Sequence, residues 1–121
     1  MGENYKRKDE LNSLIKTFEK QLKNHAFEFY QIEQLEEIIG HYTELGKNNM
    51  ALKACTLAIS QYPYSTNLMI EQAQILSNLE RYEEGMDTLD KAMSLQPNDP
   101  EIFTMKGNLY LVQGKQKEAI E

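Results

Sequence analysis

The sequence predicts an all-α fold built from stacked pairs of antiparallel helices. Pro63 and Pro97 stand 34 residues apart, and much of the sequence around them recurs at the same interval. A period of this length is typical of a helical solenoid, whose units are too small to fold alone and share a core with their neighbours. The chain has only three Pro and six Gly, and no alternating strand pattern competes with the helices.

Three apolar columns predict the first helix of each repeat. They are Leu35, Met69 and Phe103, then Ile39, Ala73 and Gly107, then Tyr42, Leu76 and Tyr110. Within one repeat these positions are separated by three or four residues, so they share one helix face. Gly46, Glu80 and Gly114 occupy the turn that should follow, where glycine tolerates a left-handed backbone.

A stripe of small and aliphatic residues predicts a second helix after each turn. Its columns are Ala51, Gly85 and Ala119, then Leu52, Met86 and Ile120, then Cys55 and Leu89, then Ala58 and Ala92. Pro63 and Pro97 close the first two pairs because proline cannot continue a helix. The third pair stops at Glu121, partway into its expected second helix.

This pattern closely resembles the tetratricopeptide repeat (TPR) family, whose unit is a helix, a short turn and a second antiparallel helix. The matching units are residues 32–65 and 66–99, with a shortened third unit over 100–121. The resemblance implies a right-handed superhelical stack, a TPR-like α-solenoid. Mild departures, such as Ile39 in place of the usual Gly or Ala, do not dispute that fold because helix packing needs apolar volume more than particular residues.

Residues 1–31 lie outside the repeat register and require a separate interpretation. An apolar face is formed at helical spacing by Leu11, Leu14, Ile15, Phe18 and Leu22. A solenoid must cover the apolar flank of its first repeat, so we expect this amphipathic helix to be a cap. The alternative is a docking helix that binds another molecule.

Charge is unevenly distributed along the chain. Residues 1–25 carry six basic and four acidic residues (+2), residues 26–45 carry five Glu and no Lys or Arg (−5), and the remainder carries seven basic and ten acidic residues (−3). The net charge of −6 argues against nucleic acid and against an anionic membrane surface as partners. The single cysteine cannot form an internal disulfide, and no apolar run approaches the ~20 residues that cross a bilayer. Because residues 1–11 also lack the pattern of a secretory signal, we expect a cytoplasmic protein.

The resemblance implies a concave groove, lined by the first helix of each repeat, that binds extended peptides or partner helices. Register then assigns a peptide-binding set consisting of Glu33, Glu36, Glu37, Glu71, Gln74, Glu101, Met105 and Asn108. This groove would be acidic at its amino end and more apolar toward Met105. A ligand with basic residues and an apolar anchor would fit it best.

One branch of the TPR family, which this sequence resembles, binds the acidic carboxyl-terminal tails of chaperones with Lys, Arg and Asn side chains. At the corresponding positions this chain has Glu36, Gly40, Glu71, Glu101 and Met105. A carboxylate would therefore meet like charge without a donor such as Arg to pair with, so we expect acidic tails not to bind. The alternative is that these glutamates form a solvated helix face.

No sequence motif supports an enzyme. The chain lacks a nucleophile elbow, a phosphate-binding glycine loop and zinc-ligand spacings, and Cys55 lies in an apolar column. His25 and His41 have no companion ligand at metal spacing, so we expect no metal and no cofactor. The predicted function is a non-enzymatic protein interaction scaffold. The alternatives are self-assembly, because Ile120 would lack a neighbouring helix, or the amino-terminal part of a larger multi-repeat protein.

Overall fold

The computed structural model describes residues 2–120, with side chains placed for residues 7–115, and confirms an all-α solenoid. Within residues 2–120 there are six helices and no strand. The helices are α1 (Gly2–Asn24), α2 (Ile32–Glu44), α3 (Asn48–Gln61), α4 (Thr66–Asn78), α5 (Tyr82–Leu95) and α6 (Pro100–Ile120). The side chains of Ala119 and Ile120, which the repeat pattern assigns to a second helix, lie outside the described residues.

The helix bounds repeat with the same period as the sequence. Helices α2, α4 and α6 begin at Ile32, Thr66 and Pro100, and α3 and α5 begin at Asn48 and Tyr82. Within each series, successive starts lie 34 residues apart. The structure is therefore a row of α2–α3 and α4–α5 hairpins followed by α6.

Left-handed residues end the first helix of both hairpins. Gly46 has a φ of 71° and Glu80 a φ of 60°. In each case the backbone amide of the next residue donates to a carbonyl in the last turn of the helix. Lys47 N donates to Tyr42 O at 2.9 Å, and Arg81 N donates to Leu76 O at 2.8 Å. These bonds satisfy carbonyls that the helix end would otherwise leave without a partner.

The predicted turn at Gly114 is wrong, because α6 runs through this position as one continuous helix. A turn there would give up successive backbone hydrogen bonds, and the packing of a second helix would have to compensate. The continuous helix keeps those bonds, so α6 remains helical through Gly114.

Helix α1 packs against the first hairpin, as expected of a cap. Phe18 is fully buried and Ile15 nearly so, in the same apolar cluster as Leu35 and Ile38 of α2. The Tyr42 hydroxyl also donates to Glu19 Oε1 at 2.8 Å. The apolar face of α1 is thus covered within the chain.

The segment between α1 and α2 is held to the end of α3 by hydrogen bonds. Tyr30 N donates to Gln61 Oε1 at 2.9 Å, and the Tyr62 hydroxyl donates to Tyr30 O at 2.6 Å. Gln61 Nε2 donates to Glu28 O at 2.8 Å. These bonds fix the angle at which the chain enters the first repeat.

Helix α4 contributes to both halves of the core. Leu68 and Ile75 belong to the cluster of α1, α2 and α3, whereas Met69 and Ala73 belong to a cluster with α5 and α6. Such sharing is the means by which a solenoid joins its repeats. Within residues 2–120, no helix has the length and apolarity to cross a membrane.

The third repeat departs from the predicted columns. Phe103 is 54% exposed and Tyr110 63% exposed, although their columns are buried in the first two repeats. The buried residues of α6 are instead Ile102 and Leu109, which contact the α4–α5 side. No second helix covers the Phe103 face in the described residues, so the predicted burial of Phe103 and Tyr110 is wrong.

Candidate peptide-binding groove

A cleft of about 300 Å³ lies between α2 and α4, the first helices of neighbouring repeats. It is referred to below as the α2–α4 cleft. Its lining consists of Glu36, Ile39, Gly40 and Thr43 from α2, and Glu71, Gln74, Ile75 and Asn78 from α4. Three residues of the peptide-binding set, Glu36, Glu71 and Gln74, are thereby brought together. Gly40 and Asn78, which share the same helix faces in sequence, line it as well.

Two carboxylates give this cleft its electrostatic character. Glu71 is half-buried, and burial, followed by the negative charge of Glu36, raises its pKa above the usual value. None of the described residues that line the cleft is Lys or Arg. A positive group placed between Glu36 and Glu71 would relieve their repulsion and favour the charged form of Glu71.

Polar groups of α4 form one edge of the α2–α4 cleft. Gln74 Nε2 donates to Asn78 Oδ1 at 3.1 Å, and Asn78 Nδ2 donates to Asn48 Oδ1 at 3.4 Å on α3. An amide side chain can donate and accept at once, so this row can bond both the N–H and the C=O groups of an extended backbone.

The floor of the α2–α4 cleft combines apolar side chains with an open glycine. Ile39 and Ile75 are almost fully buried, yet they border the cleft. A Cβ at Gly40 would have no atom within 4 Å. The repeat pattern in the sequence predicted Ile39 as a core residue only. Because Ile39 lies three residues after Glu36, it shares a helix face with Glu36, and that spacing could have predicted its place beside the cleft.

Glu37 lies in a different cleft from Glu36. It lines the space between α1 and α2, of about 570 Å³, together with Arg7, Glu10, Glu44 and His41 among others. Arg7 places a positive charge beside these acids. The sequence could not show this separation, because it depends on where α1 packs.

The other residues of the peptide-binding set do not line the α2–α4 cleft. Glu33, Glu101 and Asn108 are exposed on α2 and α6. Met105 is half-buried and packs against the core cluster formed by α4, α5 and α6. The structure therefore groups the eight predicted residues into one trio around the cleft and five residues elsewhere.

Cys55 behaves as a core residue. Its Sγ is buried and donates to Leu68 O at 3.3 Å. Burial, with a smaller contribution from Glu71, raises its pKa to about 12. Throughout the described side chains, no group of three or more His, Cys, Asp or Glu residues is arranged to hold a metal ion.

Solved structures of MamA resemble this one. A point mutant of MamA has 22% sequence identity and a TM-score of 0.60, with 73% of this chain and 64% of that chain covered. For MamA AMB-1 the identity is 21% and the TM-score 0.60, and for a second MamA mutant 21% and 0.59, each covering 74% of this chain and 49% of that chain. The chain thus spans between about half and two thirds of the MamA chains it matches. At this identity the likeness shows the fold.

Family comparison identifies the repeats themselves. Two tetratricopeptide repeat family models match, one over residues 67–99 and the other over residues 88–121. No curated protein gives a match. The matched region contains α4, α5 and α6, and the α2–α3 hairpin precedes it by the same 34-residue interval. Residues 67–121 therefore consist of tetratricopeptide repeats.

Proposed function

We propose that this protein is a non-enzymatic interaction scaffold whose α2–α4 cleft binds a basic segment of a partner protein. Tetratricopeptide repeats imply protein partners. The observation that carries the proposal is the pairing of Glu36 with half-buried Glu71 in a cleft whose described lining has no basic residue. A half-buried carboxylate that faces a second carboxylate favours a cation between them.

Each side of the α2–α4 cleft would contact a different part of the ligand. A Lys or Arg side chain would lie between Glu36 and Glu71, with Arg able to pair with both carboxylates. The amides of Gln74 and Asn78 would bond its backbone, and an apolar side chain next to the basic one would pack on Ile39. An acidic tail would be repelled by the same carboxylates.

The test is binding of short peptides that contain one Lys or Arg beside an aliphatic residue, measured by calorimetry at low and at physiological salt. Glu36→Gln and Glu71→Gln should each weaken binding about tenfold, the equivalent of one charge-assisted contact. Higher salt should weaken it further, because part of the attraction is screened. Glu83→Gln on α5 is the matched control, since it removes the same charge outside the α2–α4 cleft.

Two results would contradict the proposal. One is equal loss of affinity in the Glu83 control and the cleft variants, which would mean that only net charge matters. The other is tighter binding of a peptide with an acidic terminus than of the basic peptide. Since both amide variants keep the shape of the side chain, loss of folding does not complicate the comparison.

A further inference from the structure

One face of α6 is apolar and is not covered by any other part of the described chain. It contains Phe103 and Tyr110, whose equivalents 34 residues earlier, Met69 and Leu76, are at most 5% exposed. Leu111 extends this face and is 65% exposed. In the earlier repeats the second helix, α3 or α5, covers these positions. In α6 the side facing α5 is packed through Ile102 and Leu109, while the next side is left open.

The open face alternates large and small residues. Phe103, Gly107, Tyr110 and Gly114 follow one another at spacings of four, three and four residues, the spacing of a helix-pairing seam. A Cβ at Gly107 or at Gly114 would meet no atom within 4 Å. Each glycine therefore leaves an open recess beside an exposed ring. A glycine inside a helix costs about 1 kcal/mol relative to alanine, so two of them weaken α6 unless the recesses are filled.

We propose that this face binds a second copy of the chain, with the two α6 helices antiparallel. When the two identical α6 faces are aligned antiparallel, Phe103 lies opposite Gly114 of the second copy. The same register places Tyr110 opposite Gly107. All four rings then enter glycine recesses, and a single two-fold axis generates every contact. Large against small across facing positions is the arrangement that packs two helices closely.

The residues beside the seam permit this pairing. Lys106 on one flank would face Gln113 of the second copy, and Thr104 on the other flank would face Leu111. Lys106 already bonds Asp90 of its own chain at 2.8 Å, so it brings no unpaired charge to the contact. No like charges meet across the axis among the described side chains of α6.

The area of the seam limits the strength of the dimer. Phe103 to Gly114 spans about 17 Å of helix. Each half-exposed ring offers on the order of 100 Å². The four rings and two Leu111 side chains therefore bury well under the ~1,200 Å² of a small stable interface. We expect a reversible dimer with a dissociation constant on the order of 10 to 100 µM.

Sedimentation velocity of the full chain from about 1 µM to 1 mM should show this monomer–dimer equilibrium. The decisive variant is Gly107→Leu with Gly114→Leu. This double variant adds apolar surface and raises helix propensity, so it would strengthen a dimer held only by unspecific apolar association. If the rings occupy the glycine recesses, filling the recesses should instead raise the dissociation constant of the dimer at least tenfold. Lys115→Leu adds the same side chain at an exposed position of α6 off the seam and should leave the dimer within about twofold of wild type.

Cross-linking tests the orientation. Cys55 is fully buried, so a short bismaleimide should join only introduced cysteines. Thr104→Cys mixed with Leu111→Cys should form a covalent dimer faster than either variant alone, because the antiparallel register brings these two positions together. A mixture that cross-links no faster than the single variants would overturn the proposal.

Two further outcomes would overturn it. One is a chain that sediments as a monomer over the whole range. The other is a monomer that binds a synthetic peptide of residues 82–95, which would show that the face accepts a helix of the second-helix type in place of a second copy. Circular dichroism of each variant verifies that α6 and the rest of the fold remain intact.

Discussion

The hydroxyl of Tyr42 on α2 donates a 2.8 Å hydrogen bond to the carboxylate of Glu19 on α1. The Tyr42 ring is fully buried and lies 6.1 Å from the Phe18 ring, centroid to centroid. Burial first, and then this bond, raises the pKa of Tyr42 above its usual value. One side chain thus joins the cap to the first repeat by both apolar and polar contact.

Removing that hydroxyl should loosen the cap without disturbing the core. Tyr42→Phe keeps the ring but loses a bond to a charged acceptor, and we expect unfolding free energy to fall by about 1 kcal/mol, because Glu19 can still be solvated. Denaturant unfolding measures the change. Tyr64→Phe, at a Tyr that is 81% exposed, makes the same chemical change and should be neutral. An equal loss in both variants would show that the bond contributes nothing.

Glu80 and Gly46 occupy the same position of two repeats, both with a left-handed backbone. A residue with a side chain pays about 1 kcal/mol in that conformation, whereas glycine does not. Glu80→Gly should therefore stabilise the chain by about 0.5 kcal/mol. The gain is smaller than the relieved strain because glycine also increases the entropy of the unfolded state. Gly46→Ala should destabilise it by about 1 kcal/mol. Thermal unfolding of the two variants should shift in opposite directions, and shifts of the same sign would refute the strain argument.

The raised pKa of Glu71 predicts a pH dependence of stability. Because the folded chain holds this proton more tightly than the unfolded chain, stability should fall as pH rises from about 4.5 through the raised pKa. Glu71→Gln removes the titrating group, so the variant should lack this fall and be the more stable form at neutral pH. Urea unfolding at several pH values compares the two chains. Glu83→Gln should keep the wild-type profile; if it flattens the profile equally, Glu71 is not the group responsible.

Cys55 should be unreactive while the chain is folded. Its thiol is fully buried and hydrogen-bonded to Leu68 O, and burial raises its pKa to about 12. At neutral pH a reagent therefore cannot reach the sulfur, and the reactive thiolate form is not populated. We expect labelling by a thiol reagent to be at least about a hundredfold slower than in urea, and to depend on the free energy of opening. Rapid labelling of the folded chain would mean that α3 and α4 separate locally.

Much of the architecture could be predicted from sequence. The 34-residue period located the starts of α2, α4 and α6, and spacing alone placed Phe18 on the packed face of α1. Glu36, Glu71 and Gln74 were predicted to share a surface, and they line one cleft. The helix starts could be predicted because helix period is a local property, repeated often enough to be read in columns. The binding role of Glu36, Glu71 and Gln74 stays a prediction.

What lies beside each helix was decided by tertiary structure. Gly46 and Gly114 have the same place in the repeat, yet only Gly46 forms a turn, because a packed second helix follows it. Glu36 and Glu37 are adjacent in sequence but line different clefts, since α4 flanks one and α1 the other. The sequence by itself determined the order of the helices from α1 to α5, the start of α6 and the apolar faces of the first two repeats. Only packing decided which faces are covered, because burial depends on a neighbour that local periodicity does not specify.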